Sequence, residues 1–194
     1  MNLSNIIIIF VENDKEMFGA LQRNFGDLFN VKIFRGNFVQ ISKSDCLVCP
    51  SNSYGLLENG IQKTIKILFE GISDKITKII NNIYYGEQPI GTSFLVNTQN
   101  NNYKFIAHVP IIRYNENIKN SNNLYCAFRA LLTCILNHNK VNDNKINSIL
   151  ISSFRHENVN PDETARQMRI AYNLIDLGFG CSKENAKFID DILN

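Results

Sequence analysis

The sequence predicts an α/β fold, a three-layer α/β/α sandwich in which helices cover both faces of a mixed, mostly parallel sheet. Short apolar runs typical of buried strands alternate along the 194 residues with segments whose apolar residues recur at helical spacing. Such alternation produces strand–helix–strand units with parallel strands. Hydrophobic residues form 44% of the chain and charged residues 20%, which suits one sizeable core. We therefore expect a single domain over residues 1–194.

The first half of the chain predicts three strands and two helical stretches. The strands are expected at residues 6–11, 31–34 and 46–49, and the helical stretches at residues 14–25 and 61–85. The third strand is apolar throughout, which is typical of a strand buried on both faces of a sheet. Gly71 and Ser73 interrupt the second helical stretch, so we expect a break or kink there.

The second half predicts two paired strands, followed by a helix, a strand and further helices. Residues 93–98 and 104–109 favour β structure and flank a polar, asparagine-rich turn, which predicts antiparallel pairing and makes the sheet mixed. The later elements are expected at residues 124–136, 146–151, 160–177 and 182–193. Asn160 is expected to cap its helix, with Glu163 completing a capping box.

The charge and the cysteine content argue against several classes of function. The formal net charge is +2 and basic residues are interspersed with acidic ones, so no dedicated nucleic-acid surface is indicated. The apolar run at residues 6–11 is too short to cross a membrane and lacks the positive flank of a signal peptide. Five cysteines, an odd number, favour free thiols in a reducing compartment, so we expect an intracellular, cytoplasmic protein.

The cysteines and histidines predict neither a metal site nor a cofactor. Cys46 and Cys49 have C-x-x-C spacing, but residues three apart on a strand point to opposite faces, and the sequence has no second such pair. Cys126 and Cys134 are expected in the core under a helix. His108 is expected to end a strand, which is an ordinary structural position.

A polar loop after the third strand is the strongest functional signal in the residues themselves. Ser51, Asn52 and Ser53 follow the apolar run directly, and Gly60 and Ile61 open the long helix. Ligands of open α/β sheets bind outside the carboxyl ends of strands, and free N–H groups at a helix N-terminus favour an anion such as a phosphate. The loop therefore predicts an anion-binding site.

Five short motifs occur in a fixed order at residues 36–38, 45–53, 54–61, 86–92 and 160–168. Together they resemble the macro domain family, most closely its phage and bacterial Appr-1-p-processing or macro-like branch. They match, in order, the family's Gly-Asp-Ile-like turn, its Asn-Ala-Ala-Asn-Ser segment, its first ligand loop, its Gly-x-x-Pro-x-Gly turn and its Ser-Pro-Glu-Glu helix start. The resemblance covers residues 6–177 and implies the same three-layer fold.

The resemblance implies that the chain binds ADP-ribose or a related nucleotide. Macro domains place adenine against the turn after the second strand, the diphosphate across two loops, and the distal ribose beside the Asn that follows the third strand. The residues that would take these places are Asn37 and Phe38 at the adenine, Asn52 at the distal ribose, and Asn59, Gly60 and Ile61 at the diphosphate. The second loop would be formed by Ser153, Phe154, Arg155 and His156.

Three departures from the family pattern shape this expectation. Asn37 replaces the usual Asp, which keeps an acceptor oxygen but loses the charge, so adenine selectivity is expected to change. Residues 151–158 contain no glycine, where the family has a glycine-rich loop. Gln62 occupies a position at which hydrolases of the family often carry an acidic residue, and an amide is no general base.

Three functions remain open at this point. The first, which we adopt, is binding of ADP-ribose or a related nucleotide or phosphorylated metabolite, with altered affinity or selectivity. The second is a degenerate macro fold that serves as a protein-interaction or structural module without a ligand. The third is hydrolysis of ADP-ribosyl bonds or of ADP-ribose 1''-phosphate.

Overall fold

A computed structural model describes residues 3–152 and 154–193 of the chain, in which a six-stranded sheet is accompanied by six α-helices. The strands are β1 (Ile7–Glu12), β2 (Val31–Arg35), β3 (Cys46–Asn52), β4 (Phe94–Asn97), β5 (Phe105–Ile112) and β6 (Ser148–Ser152). The helices are α1 (Lys15–Phe25), α2 (Gly60–Leu68), α3 (Ile72–Tyr84), α4 (Asn123–Val141), α5 (Pro161–Asp176) and α6 (Lys183–Leu193). The predicted order of strands and helices is confirmed.

The sheet is mixed and mostly parallel, as the sequence predicts, and its strand order is β2-β1-β6-β3-β5-β4. β1 pairs in parallel with β2 and β6, and β3 pairs in parallel with β6 and β5. The edge strand β4 is antiparallel to β5, which confirms the predicted pairing across the polar turn. The carboxyl ends of the five parallel strands therefore lie along one edge of the sheet.

Each face of the sheet carries its own hydrophobic core, so the fold has three layers. The first core lies under α1, α4 and α5, and its centre includes Phe10, Phe25 and Phe128, whose ring centroids are 5.0–6.4 Å apart. The second core lies under α2 and α3, where Ile76 and Ile80 are fully buried. The fold class predicted from the alternating pattern is confirmed.

The C-x-x-C pair of β3 is divided between the two cores. Cys46 belongs to the first core and Cys49 to the second, because successive side chains of a strand point to opposite faces. Burial raises the pKa of both thiols, that of Cys49 to about 12. Cys126 and Cys134, expected in the core, are only half-buried on the side of α4. No cluster of metal-ligating side chains occurs among the described residues.

The predicted long helix is divided into α2 and α3. α2 ends at Leu68 and α3 begins at Ile72, so the expected break near Gly71 is confirmed. Gly71 has φ +70°, a left-handed conformation that glycine adopts without steric cost. Within residues 3–152 and 154–193, no helix is long and apolar enough to cross a membrane.

The start of α5 follows the sequence prediction only in part. The Asn160 side chain accepts a hydrogen bond from the Asp162 N–H at 2.8 Å, as a capping residue should. The predicted capping box is wrong, because the Glu163 carboxylate accepts hydrogen bonds from the side chains of Arg166 and Gln167 at 2.6–2.9 Å. A guanidinium one turn away is a stronger donor than a backbone N–H.

Candidate functional site

The two predicted ligand loops leave neighbouring strand ends. β3 and β6 pair in parallel, with Cys46 opposite Ile149 and Leu47 opposite Leu150. The loops that follow these strands therefore start side by side, as predicted. The ends of β2 and β1 continue the same edge, so four strand ends span three inter-strand spacings, about 14 Å in all. Crevices at the carboxyl ends of parallel strands are the usual ligand sites of such sheets.

Asn52 folds the loop that follows β3. Its Oδ1 accepts hydrogen bonds from the N–H groups of Tyr54 at 3.0 Å and Leu56 at 3.2 Å. Its Nδ2 donates to the Leu56 carbonyl at 3.2 Å. An amide Nδ2 carries two hydrogens, and the described residues supply one acceptor, so one N–H remains for another partner. Asn52 therefore uses most of its hydrogen bonds to stabilise the conformation of the loop.

The N-terminus of α2 presents two backbone donors without acceptors. Asn59 is the capping residue, but its side chain makes no capping hydrogen bond. Its carbonyl accepts from the N–H groups of Gln62 and Lys63, whereas those of Gly60 and Ile61 have no acceptor among the described residues. Gly60 has φ +51°, and a Cβ there would meet nothing within 4 Å. The predicted helix N-terminus with free N–H groups is therefore present, and it follows directly after the loop that leaves β3.

Gln62 is used as a donor. Its Nε2 donates to the carbonyl of Pro50 at 3.0 Å, which joins the first turn of α2 to the end of β3. A carboxylate at this position would have no proton to donate and would face a carbonyl oxygen. The amide therefore suits a structural contact, and it lacks the properties of a general base.

The second loop turns its aromatic side chain inward. Phe154 is 3% exposed and packs in the first core, with its ring centroid 5.5 Å from that of Phe128. The apolar ring is more stable in the core than at a polar crevice, so the backbone of Phe154, and not its side chain, remains for the predicted contact with a ligand. Ser153, also predicted here, lies outside the described residues.

The polar residues of the second loop make local contacts. Arg155 lies 3.4 Å from the Oδ1 of Asp14, which also caps α1, and both side chains are partly exposed. The Nδ1 of His156 accepts a hydrogen bond from the Asn158 N–H at 3.4 Å, which bends the loop. Arg155 is thus the cation of this loop that can exchange an exposed ion pair for a ligand anion.

The cavity beneath Phe154 is too small for a ligand. It holds about 10 Å³ and is lined also by Val11, Glu12 and Ile151. A single water needs roughly that volume. Any ligand at this end of the crevice must therefore lie above Phe154.

The two residues predicted at the adenine have different environments. Asn37 is exposed, and its N–H donates to the Oε1 of Gln40 at 2.8 Å at the start of a short 3₁₀ turn, Phe38–Gln40. Phe38 is 3% exposed and belongs to the second core. The amide of Asn37 is exposed at the end of β2, where it also belongs to a capping box with Gln40, whereas the ring of Phe38 packs in the core.

Sequence reasoning missed Glu12 at the same edge and named Ser51 only as part of the polar loop. Glu12 ends β1 and is 6% exposed, and its Oε1 accepts a hydrogen bond from the Asp14 N–H at 3.0 Å. Ser51, near the end of β3, is 1% exposed, and its hydroxyl has no partner among the described residues. Both residues come at the end of an apolar strand, and this position in the sequence could have identified them as candidates for the site. The site is therefore richer in buried polar groups than the motifs indicate.

A buried His–Gln pair lies under the first loop. His108 was expected to end a strand, but it lies within β5, because the strand continues to Ile112. Its Nδ1 is 2.6 Å from the Oε1 of Gln88, and the Nε2 atoms of both side chains lack partners among the described residues. Burial lowers the pKa of His108 to about 3, so the imidazole is neutral at physiological pH.

An exposed polar cluster ties the first loop to neighbouring segments. The Tyr54 hydroxyl donates to Glu87 at 3.0 Å, and Arg113 donates to the same carboxylate from Nε at 2.6 Å and Nη2 at 3.1 Å. The hydrogen bonds from Arg113 hold the pKa of Glu87 below its usual range, and the bond to Glu87 raises the pKa of Tyr54. The cluster connects the loop to the segments after α3 and β5.

Comparison with solved structures shows that the chain has the macrodomain fold. The macrodomain of Mycobacterium tuberculosis DarG superposes with a TM-score of 0.57 at 18% identity, covering 73% of this chain and 88% of that one. A mutant macrodomain of Oceanobacillus iheyensis gives 0.56 at 14% identity, covering 100% and 94%. Another mutant of that macrodomain, with ADP-ribose, gives 0.50 at 12% identity, covering 98% and 97%. No protein-family model and no curated protein matches the sequence.

Proposed function

We propose that the chain binds ADP-ribose, or a closely related nucleotide, along the carboxyl ends of β2, β1, β6 and β3. The observation that carries the proposal is the start of α2, where the Gly60 and Ile61 N–H groups have no acceptor among the described residues. A phosphate oxygen supplies the acceptors that the protein does not. The macrodomain fold, seen with ADP-ribose in a protein of 12% identity, supports the choice of ligand.

The polar groups along the edge suit the parts of such a ligand. The diphosphate would bind at Gly60 and Ile61, with the distal ribose against the remaining N–H of Asn52. The adenine would lie at the ends of β2 and β1, where Asn37 offers an exposed amide and Glu12 a buried carboxylate oxygen. The ligand, an adenosine and a ribose joined by a diphosphate, would lie along this span of about 14 Å.

The proposal is binding without hydrolysis. Gln62 donates its amide to the Pro50 carbonyl and is not a base, so the residue at the position of the expected general base neither accepts a proton nor activates water. The chain should therefore hold an ADP-ribosyl group without cleaving it.

A second candidate is a protein-interaction module with a closed crevice. One observation favours it: Phe154 is 3% exposed above a cavity of about 10 Å³, and the loop lacks the glycines that let a backbone approach a diphosphate. In the ligand-binding proposal, the buried Phe154 ring instead forms the bottom of the crevice, and the ligand lies above it.

Thermal unfolding with ADP-ribose separates the two candidates. At ~100 times its Kd, a ligand stabilises a protein by about 2.7 kcal/mol, which raises the Tm of a chain of this size by roughly 5–10 °C. The ligand-binding proposal predicts such a rise with ADP-ribose and a negligible one with ribose. An unchanged Tm at millimolar ADP-ribose would favour the interaction module.

A pair of variants at Ile61 tests the anion site itself. Ile61→Pro removes one of the two free N–H groups, and proline is tolerated in the first turn of a helix. Ile61→Ala removes similar side-chain packing but keeps the N–H, so it is the matched control. We expect the proline variant to lose most of the ADP-ribose-induced rise in Tm and the alanine variant to retain it. Equal rises in both variants would place the phosphate elsewhere.

A further inference from the structure

Arg129 is an arginine of α4 with no ionic partner among the described residues. Five other arginines, Arg23, Arg113, Arg155, Arg166 and Arg169, each pair with an Asp or Glu within 2.6–3.4 Å. Arg129 is half-buried, so its charge is less well solvated than that of a freely exposed arginine. A half-buried guanidinium without a carboxylate has capacity for an external anion.

The same side of α4 carries further polar groups without partners. Tyr125, Thr133 and Asn137 recur with Arg129 at intervals of four residues, so they form one stripe along the helix. The Tyr125 hydroxyl, the Thr133 hydroxyl and the Asn137 amide make no hydrogen bonds within the described part of the chain. This stripe therefore presents one cation, two hydroxyls and an amide.

Residues 91–93 form a wall opposite this stripe. The Ser93 hydroxyl donates to the His108 carbonyl at 3.1 Å, which fixes the wall to β5. Gly91 has φ +88°, and a Cβ there would lie 3.8 Å from the Cβ of Cys126. We call the space between this wall and the stripe the α4 groove. It is open to solvent along Thr133 and Asn137, which are exposed, and its volume of about 410 Å³ lies within the ~300–1,000 Å³ typical of small-molecule sites.

The composition of the α4 groove defines the chemistry of its occupant. Among the described residues, no carboxylate lines it, and Arg129 is its single cation. A planar guanidinium binds phosphate through paired, charge-assisted hydrogen bonds. The volume greatly exceeds that of inorganic phosphate, and the remaining lining combines the apolar surfaces of Cys126, Ala130 and Cys134 with hydroxyl and amide groups of the stripe. These groups match the hydroxyls of a sugar-like body.

We propose that the α4 groove binds a small hydroxylated phosphate monoester, such as a pentose monophosphate, with the phosphate on Arg129 and the hydroxyls on Thr133 and Asn137. The groove shares no lining residue with the loops at the carboxyl ends of β3 and β6. The proposal is therefore independent of ADP-ribose binding at the sheet edge.

The cysteines of the chain provide the readout. Cys126 and Cys134 line the α4 groove and are half-buried, whereas Cys181 is exposed and lies outside it. Alkylation by iodoacetamide, followed at each cysteine by peptide mass spectrometry, reports occupancy of the groove. With ribose 5-phosphate at ~10 times its Kd, alkylation of Cys126 and Cys134 should slow about tenfold, with Cys181 unchanged. Ribose alone should give no protection, because it lacks the anion.

Two variants on α4 complete the test. Arg129→Gln should raise the ribose 5-phosphate concentration needed for half-protection about 10- to 100-fold. Lys140→Gln, at an exposed position of the same helix outside the groove, removes the same charge and should leave the protection unchanged. Protection that survives in Arg129→Gln, or equals that by ribose, would overturn the proposal. So would an absence of saturable protection, or protection by inorganic phosphate without protection by ribose 5-phosphate.

Discussion

Gln62 joins the start of α2 to the end of β3 through one hydrogen bond to the Pro50 carbonyl. The sequence motif indicated only that an acidic residue was missing at this position. In the structure the Gln62 amide has a structural role, because it donates a hydrogen bond that a carboxylate could not donate. A substitution chosen to restore hydrolysis would therefore also disturb the loop that holds the proposed ligand.

Replacing Gln62 by Glu should lower the free energy of unfolding by about 1–3 kcal/mol, because it replaces the donor to the Pro50 carbonyl by a carboxylate that cannot donate. Urea unfolding measures this change. Gln22→Glu, at an exposed position of α1, is the matched control and should change the free energy by less than about 0.5 kcal/mol. Equal unfolding midpoints for the two variants would contradict the structural role of Gln62.

His108 makes the stability of the protein depend on pH. The folded state keeps it neutral down to about pH 3, because burial disfavours the imidazolium, whereas the unfolded chain takes up a proton near pH 6.5. Between these values the unfolded state binds more protons. The free energy of unfolding contributed by His108 therefore falls as the pH falls from 6.5 towards 3.

Urea unfolding at pH 6.5 and pH 4.5 measures the His108 contribution. The wild-type chain should lose about 2 kcal/mol of His108-dependent stability over this interval. The double variant His108→Phe/Gln88→Leu replaces the buried polar pair by apolar side chains and keeps a ring against Phe94, so this loss should disappear. A similar pH dependence in both proteins would show that other groups are responsible.

At the scale of single elements, the first loop packs against α3 through Gly55. Gly55 has φ +66°, and a Cβ there would lie 2.7 Å from side-chain carbons of both Ile76 and Ile80. Gly60 has a similar φ of +51°, but its Cβ would meet open space. The two glycines therefore separate the cost of a left-handed backbone from the cost of a steric clash.

Gly55→Ala should destabilise the protein by roughly 2–4 kcal/mol, the sum of the backbone cost and the overpacking of buried isoleucines. Gly60→Ala should cost only about 1–2 kcal/mol, since only the backbone term remains. Thermal or urea unfolding of the two variants gives the comparison. Equal costs would mean that the loop does not pack tightly on α3.

The elements could be predicted because their signals are local. Apolar runs, helical spacing and the glycine at residue 71 specify strands, helices and the break between α2 and α3 from neighbouring residues alone. The burial of Phe154 could not be predicted, since its partner Phe128 lies on a distant helix and only the tertiary fold brings the rings together. The hydrogen bond from Gln62 to Pro50 could not be predicted either, because only the fold brings the first turn of α2 to the end of β3.

At the scale of the whole molecule, the parallel strands set the position of the proposed site. The motifs identified the loops, and the strand order places the starts of those loops at adjacent strand ends. The motifs could not separate residues whose side chains meet the crevice from residues whose side chains hold the loops. Asn52 folds its loop with most of its amide and retains a single N–H for a ligand.

Isothermal titration calorimetry with ADP-ribose measures the proposed binding itself, using the wild-type chain and Asn52→Ala. We predict one binding site in the wild-type chain and an affinity weaker by about 1–3 kcal/mol in the variant, since the loop and the ribose contact both depend on the amide. The far-ultraviolet circular dichroism spectrum should show that the variant is folded. No heat of binding to the wild-type chain, or an equal affinity in the folded variant, would contradict the account.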